Sequence, residues 1–220
     1  MRAAPILLAT ALTACAGSSA VPRWEANAAG ELEAYRTAAL SGSEAAAKSA
    51  YRYAVAALKQ GGDLEGLATA SLTRCAIEAA VGAKRAGCAE YAAIRQVGGS
   101  PAREAYTHWL EGKLGTQELL LLPETYRALA AAWLANDGTG IAVELERIEP
   151  PLSWLVAFSV VKNRLPDAAP AWRHCQSLTA RQGWSAAYRA CLQHEAASWE
   201  SHGDTGRAAW LRKKIEVLAP

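Results

Sequence analysis

The chain has 220 residues, 51% of them hydrophobic and 20% charged, a globular composition that excludes an intrinsically disordered chain. Its formal net charge of +2 gives no concentrated basic face for neutralising phosphates, so nucleic acid is not an expected partner. Alanine dominates the apolar residues and the large rings are skewed to 8 Trp and 7 Tyr against 1 Phe, which favours closely packed helices over sheet.

The chain opens on Met1-Arg2, a minimal positive start, and residues 3–12 are apolar apart from Thr10. A run of about 10 residues is too short for a bilayer that needs about 20. It has the length of the apolar region of a signal peptide. Leu12-Thr13-Ala14-Cys15 follows, a branched apolar residue and two small residues before a cysteine, and this resembles the bacterial lipobox. The resemblance implies a lipoprotein signal peptide over residues 1–14 and cleavage before Cys15. It also implies a diacylglyceryl thioether on the Cys15 sulfur and a further acyl chain, such as palmitate, on the new N-terminus. Several acyl chains together anchor stably where one does not. Alanine at position 16, in place of aspartate, resembles an outer-membrane address, with the body at the periplasmic face and the inner membrane as the alternative. An ordinary secretory signal with a chance cysteine, or a short N-terminal helix, is the competing reading. Gly17-Ser18-Ser19-Ala20-Val21-Pro22 reads as a flexible tether. The domain division is therefore residues 1–14 signal, 15–30 lipidated tether and 31–220 helical body, with folding expected to set in between Trp24 and Glu31.

Beyond the tether, helix breakers fall at Ser41-Gly42, Gly61-Gly62-Asp63, Gly82, Gly98-Gly99-Ser100-Pro101, Gly115, Asn136-Asp137-Gly138, Pro150-Pro151, Pro166-Asp167, Gly183 and Gly203-Asp204. The segments between most of them have ordinary helix length. Ser100-Pro101 is an N-cap followed by proline at the first helical position, and Asp63, Asp167 and Asp204 are further caps. Apolar residues recur with helical spacing at Tyr51, Ala54, Val55 and Leu58, then at Leu64, Leu67, Ala68 and Leu72. Tyr188, Leu192, Ala196 and Trp199 form one late stripe, and Ala208, Leu211, Ile215 and Leu218 the next. No stretch alternates as a strand does. Residues 111–123, ending in Leu119 to Pro123, read as a short helix and a turn. The fold class is all-α, with antiparallel helical hairpins in a repeat array or an irregular bundle.

Residues 189–220 resemble one tetratricopeptide repeat. Ala196 and Trp199 stand at its small and aromatic first-helix positions, Gly203-Asp204 at its turn, Ala208 at its small second-helix position and Pro220 at its closing proline. Leu192 replaces the family's first-helix tryptophan, and Ile215 its late alanine. A second unit around Gly62-Asp63 is more degenerate, with Leu67 in place of alanine. The likeness covers about a third of the chain and implies stacked hairpins with a peptide-binding concave face.

Four cysteines remain besides Cys15. Cys75 and Cys88 flank Gly82 about symmetrically, and Cys175 and Cys191 flank Gly183. Two antiparallel helices meeting at a tight turn bring such positions face to face, so each pair is expected to staple a hairpin. Other pairings and free thiols are the alternatives. Stapled hairpins also occur in Sel1-like repeat proteins, although the cysteine spacing here differs from theirs.

Other sites are weaker. Cys191 and His194, three apart on one helix and near His174, Cys175 and His202, are possible metal ligands, but the disulfide reading consumes both thiols and no metal or cofactor is assigned. Glu200-Ser201 resembles the glutamate-serine pair of lytic transglycosylases without the motifs that surround it there, so no catalytic residue is assigned. Gly98-Gly99-Ser100-Pro101 is a turn, with neither a strand before it nor a lysine after it. Trp133, Trp154, Trp172, Trp184, Trp199 and Trp210 fill an alanine-rich core or line a ligand groove, and Trp24 suits a lipid interface. The expected function is a non-enzymatic, membrane-anchored scaffold that docks an envelope protein. The alternative is a ligand-binding or peptidoglycan-active envelope protein with a Trp-lined cleft.

Overall fold

A computed structural model describes residues 21–218; the expected export segment, the lipobox-like motif with Cys15 and the closing Pro220 lie outside the described residues. These form eleven α-helices and two 3-10 segments, with no strand among them. In chain order the helices are α1 (Arg23–Ser41), α2 (Glu44–Gly61), α3 (Leu64–Ala80), α4 (Ala86–Gly98), α5 (Pro101–Leu110), α6 (Glu124–Leu134), α7 (Gly138–Glu146), α8 (Pro151–Val161), α9 (Ala169–Arg181), α10 (Ser185–Ser201) and α11 (Thr205–Val217). The 3-10 segments are Thr116–Leu121 and Lys162–Arg164. None of these helices is long and apolar enough to cross a membrane.

Helix α1 begins at Arg23, so residues 23–30, assigned to the tether from sequence, are helical. The reason is local: an alanine-rich stretch after Pro22 continues a helix without a breaker, and Gly30 meets nothing that would interrupt it. Trp24, expected at a lipid interface, lies half-buried with its ring against Gly61, where a Cβ would overlap it.

The breakers end helices as their chemistry dictates. At Gly62 (φ 68°) the amide donates to Lys59 O at 3.1 Å and the next amide, of Asp63, to Leu58 O at 3.0 Å. This is a Schellman closure, which needs a left-handed residue. The same pair of bonds recurs at Gly42, Gly82, Gly183 and Gly203, and with Asn136 in place of glycine. Asp63, Ser100, Asp137 and Asp204 each accept an amide from the first turn of the following helix. Asp167 does so one residue off register. It bonds the Ala169 amide at 2.9 Å, while Ala168 holds the cap position of α9.

Helix α8 organises the interior. No charged residue occurs from Pro150 to Val161, and Trp154 through Ser159 and Val161 are all buried. A helix that is apolar all round has to be enclosed. Helices α3, α5, α6, α7 and α9 enclose it. Its one buried hydroxyl, Ser159, is satisfied by Val156 O at 2.7 Å. Phe158 stacks on Trp154 (centroids 5.0 Å) and meets Trp172 edge-on (4.7 Å). Trp109, absent from the sequence-based core residues, is fully buried between Tyr126 and Trp133. Its indole N–H has no acceptor among the described residues.

One continuous core runs from Ala28 in α1 to Cys191 in α10. The chain closes on itself: α1 packs against α10, and Ser185 Oγ donates to Ser41 O at 2.5 Å. The hairpins therefore form an irregular bundle and not an open array. Helix α11 packs on α10 at one edge through a separate cluster of Leu192, Ala196 and Leu211.

Phe158→Ala is expected to cost about 3–5 kcal/mol, as ring removal does in a packed core. Trp210→Ala, at a side chain 62% exposed, is expected to change stability by less than about 0.5 kcal/mol. Urea unfolding of both variants checks the contrast.

Candidate functional site

The four body cysteines come together as two pairs. Cys75 and Cys88 lie at disulfide distance with Cα atoms 4.9 Å apart, and Cys175 and Cys191 likewise at 6.0 Å. The α3–α4 pair is possible because Gly87 presents no side chain; a Cβ there would overlap Ser71 O and Cys75 N. A polar network flanks this pair. Buried Glu78 accepts from Arg74 Nε at 2.7 Å and from the Gly87 amide at 2.8 Å. Arg74 also pairs with Glu90, which accepts from Tyr51 Oη at 2.5 Å. Burial first, and the bond to Glu90 second, push the Tyr51 phenol far above its ordinary range. This network fastens α2, α3 and α4, which sequence reasoning missed because its members lie far apart in the chain.

A cavity of about 780 Å³ opens between Lys162–Arg164, the start of α9 and the second half of α10. Lys162, Asn163, Trp172, His194, Ser198 and Trp199 are among its walls. Trp172 is buried against Phe158 and offers the cleft little accessible surface. Trp199 is half-buried and held from behind: its Nε1 donates to Glu195 Oε1 at 3.2 Å, and the Arg207 guanidinium sits 4.1 Å over its ring. Buried Glu195 also accepts from Gln176 Nε2 at 2.6 Å. Lys162 Nζ donates to Ser159 O at 2.7 Å and forms no ion pair among the described residues. Burial lowers its pKa, and the nearby Arg85 lowers it further. Burial pulls His194 down to about 4, with the Lys162 charge acting in the same direction.

Two other grooves differ in character. One of about 590 Å³ is largely apolar, with Leu72, Leu122 and the stacked Tyr106 and Tyr126 (6.0 Å) in its walls. Another of about 700 Å³ lies beside the Arg74 network, between Tyr35, Lys48 and Arg189.

The remaining sequence candidates are dispersed. Glu200 is exposed, pairs with Arg212 and does not line the cleft. Among the described residues no three His, Cys, Asp or Glu side chains converge as metal ligands do. Cys191 faces Cys175 while His194, one turn on, faces the cleft, and His174 stacks on Trp154 at 4.4 Å. Of the eight tryptophans, Trp109, Trp133, Trp154 and Trp172 are core, Trp24, Trp184 and Trp199 are half-buried, and Trp210 is exposed. Lys162 was missed, although a signal existed: it ends an uncharged run and has no carboxylate three or four residues away.

No family model, curated protein or solved structure matches this chain.

Two predictions follow from this chemistry. The pairs have sequence separations of 13 and 16, and closing loops of that size is worth about 3 kcal/mol each in the chain-entropy model. Cys75→Ala/Cys88→Ala and Cys175→Ala/Cys191→Ala should each lower unfolding stability by about that amount, and dithiothreitol should lower the wild type further than either variant. The second concerns pH. His194 is depressed in the fold, so between its ordinary 6.5 and about 4 the unfolded chain binds a proton that the folded chain does not. Stability should be full above that window and fall as the pH falls through it. His174 is shifted the same way by its partial burial. Urea midpoints at about pH 7 and about pH 5 should differ in the wild type and differ less in His194→Gln.

Proposed function

We propose that this chain is an exported lipoprotein, cut before Cys15 and tethered to the periplasmic face of the outer membrane, whose helical bundle docks an envelope protein. The observation that carries the proposal is the coincidence of two cysteine pairs at disulfide distance with an export-like leader and lipobox in one chain. Structural disulfides persist in oxidising compartments, and a lipobox places the body in one. The outer face of α11 supports docking. Exposed Trp210 sits there with Lys214 over its ring at 5.5 Å, beside Arg212 and Lys213. Tryptophan and arginine are the residues that most often carry interface energy.

A second reading is favoured by the cleft: a small ligand bound between Trp172 and Trp199. It assigns no role to Glu200, which lies outside the cleft walls in an exposed ion pair with Arg212.

Crosslinking in intact cells, comparing the native chain with Cys15→Ser, tests the docking proposal. Capture of one envelope protein by the native form, reduced at least about tenfold by loss of the tether, is the expected result, because tethering raises effective concentration. Equal capture by both forms, or no specific capture by either, contradicts it.

A further inference from the structure

We infer that the cleft between Lys162–Arg164, α9 and α10 binds a small sugar acid, its carboxylate against Lys162 and its ring against Trp199. The inference rests on the ligand reading of the cleft and names the class of ligand.

Charge is the first argument. Lys162 is a partly buried ammonium whose one protein acceptor among the described residues is a backbone carbonyl, Ser159 O at 2.7 Å. The charges acting on it and on His194 are positive: Arg85 on Lys162, and Lys162 on His194. Arg85 is itself bonded to a backbone carbonyl, Leu110 O. Asp167 is the acidic residue of the cleft wall, and its Oδ1 is engaged by the Ala169 amide at 2.9 Å. A desolvated cation without a carboxylate lowers the folded state's stability, and an anion delivered by a ligand relieves that cost. An ammonium retains two further donors after its bond to Ser159 O.

The number of charges selects the anion. His194 is neutral near pH 7, because its pKa is about 4, and among the described residues Lys162 is the one Lys or Arg on the cleft wall. One cation matches a monoanionic carboxylate better than a phosphate dianion.

Size and lining select the body. A volume of about 780 Å³ lies within the range that holds small molecules and is too small for a folded partner. The wall combines the half-buried Trp199 indole, and the small accessible part of Trp172, with the short polar groups of Asn163 and Ser198. A sugar ring offers the matching mixture, C–H groups for the Trp199 indole and hydroxyls for the amide and hydroxyl groups. Glu195 and Arg207 brace Trp199 from outside the cleft, so this wall exists before any ligand arrives.

Isothermal titration of the full chain in detergent with N-acetylmuramic acid and N-acetylglucosamine tests the inference, since the two differ by one carboxylate-bearing ether. The acid is expected to bind at least about tenfold more tightly, as one charge-assisted contact in a partly desolvated cleft provides. Lys162→Gln should abolish that preference and Lys162→Arg should retain most of it. Equal affinity for both sugars in the wild type overturns the charge assignment and leaves the ligand reading standing. No binding of either overturns both, and this wild-type comparison holds even where a variant fails to fold. A preference for the acid that survives in folded Lys162→Gln also overturns the inference.

Discussion

A helix without a polar face has to be enclosed, and α8 is such a helix. From Pro150 to Val161 the chain offers no charge, and every residue from Trp154 to Ser159 is out of water. Enclosing it needs neighbours on all sides, which α3, α5, α6, α7 and α9 supply. Much of the sequence elsewhere is alanine, which buries little area per residue. The large rings Trp154, Phe158, Trp172, Trp109 and Trp133 therefore concentrate around this one element, and the alanine-rich helices close around them. Where α8 ends, the same constraint leaves its mark on the surface. Lys162 follows directly on the apolar run, so its ammonium begins in a partly desolvated place and turns back to Ser159 O. The cleft and its unusual basic pair are thus a consequence of how α8 is buried.

Close approach is the second organising feature. Gly87 lets α4 lie directly on the backbone of α3, and that approach brings Cys88 to Cys75. Glu78, buried at the same junction, is acceptable there because Arg74 and the Gly87 amide both donate to it. At the other hairpin, the Schellman closure at Gly183 turns α9 into α10 and sets Cys175 opposite Cys191. Each cysteine pair thus lies where backbone geometry has already brought two helices together.

Local punctuation was legible in the sequence because its causes are local. The glycines that end helices, the Asp and Ser caps and the symmetric cysteines about Gly82 and Gly183 each act within a few residues. Asp167 shows the limit of such reading, since it bonds an amide one register away from the expected cap. The tether boundary moved from residue 31 to Arg23 because nothing between them interrupts a helix. Closure of α1 onto α10, and the choice of a bundle over an array, depend on contacts between residues more than a hundred positions apart, such as Ser41 and Ser185. No periodicity reports such contacts. The uncharged run that becomes α8 was visible but is ambiguous by pattern alone, since a buried helix lacks the amphipathic stripe that periodicity detects. The cleft was half legible: Trp199 and His194 were singled out, while Lys162 was not.

Under the proposed function, the leader-like N-terminal sequence, the paired cysteines and the helical body belong together, with an oxidising compartment stabilising a bundle held at a membrane through Cys15. Peptide mapping under non-reducing conditions, on protein recovered from its native cell envelope, tests that account most directly. It predicts an N-terminal peptide beginning at acylated Cys15, together with linked peptides joining Cys75 to Cys88 and Cys175 to Cys191. An unmodified N-terminus at Met1 with four alkylatable thiols in the body would contradict it.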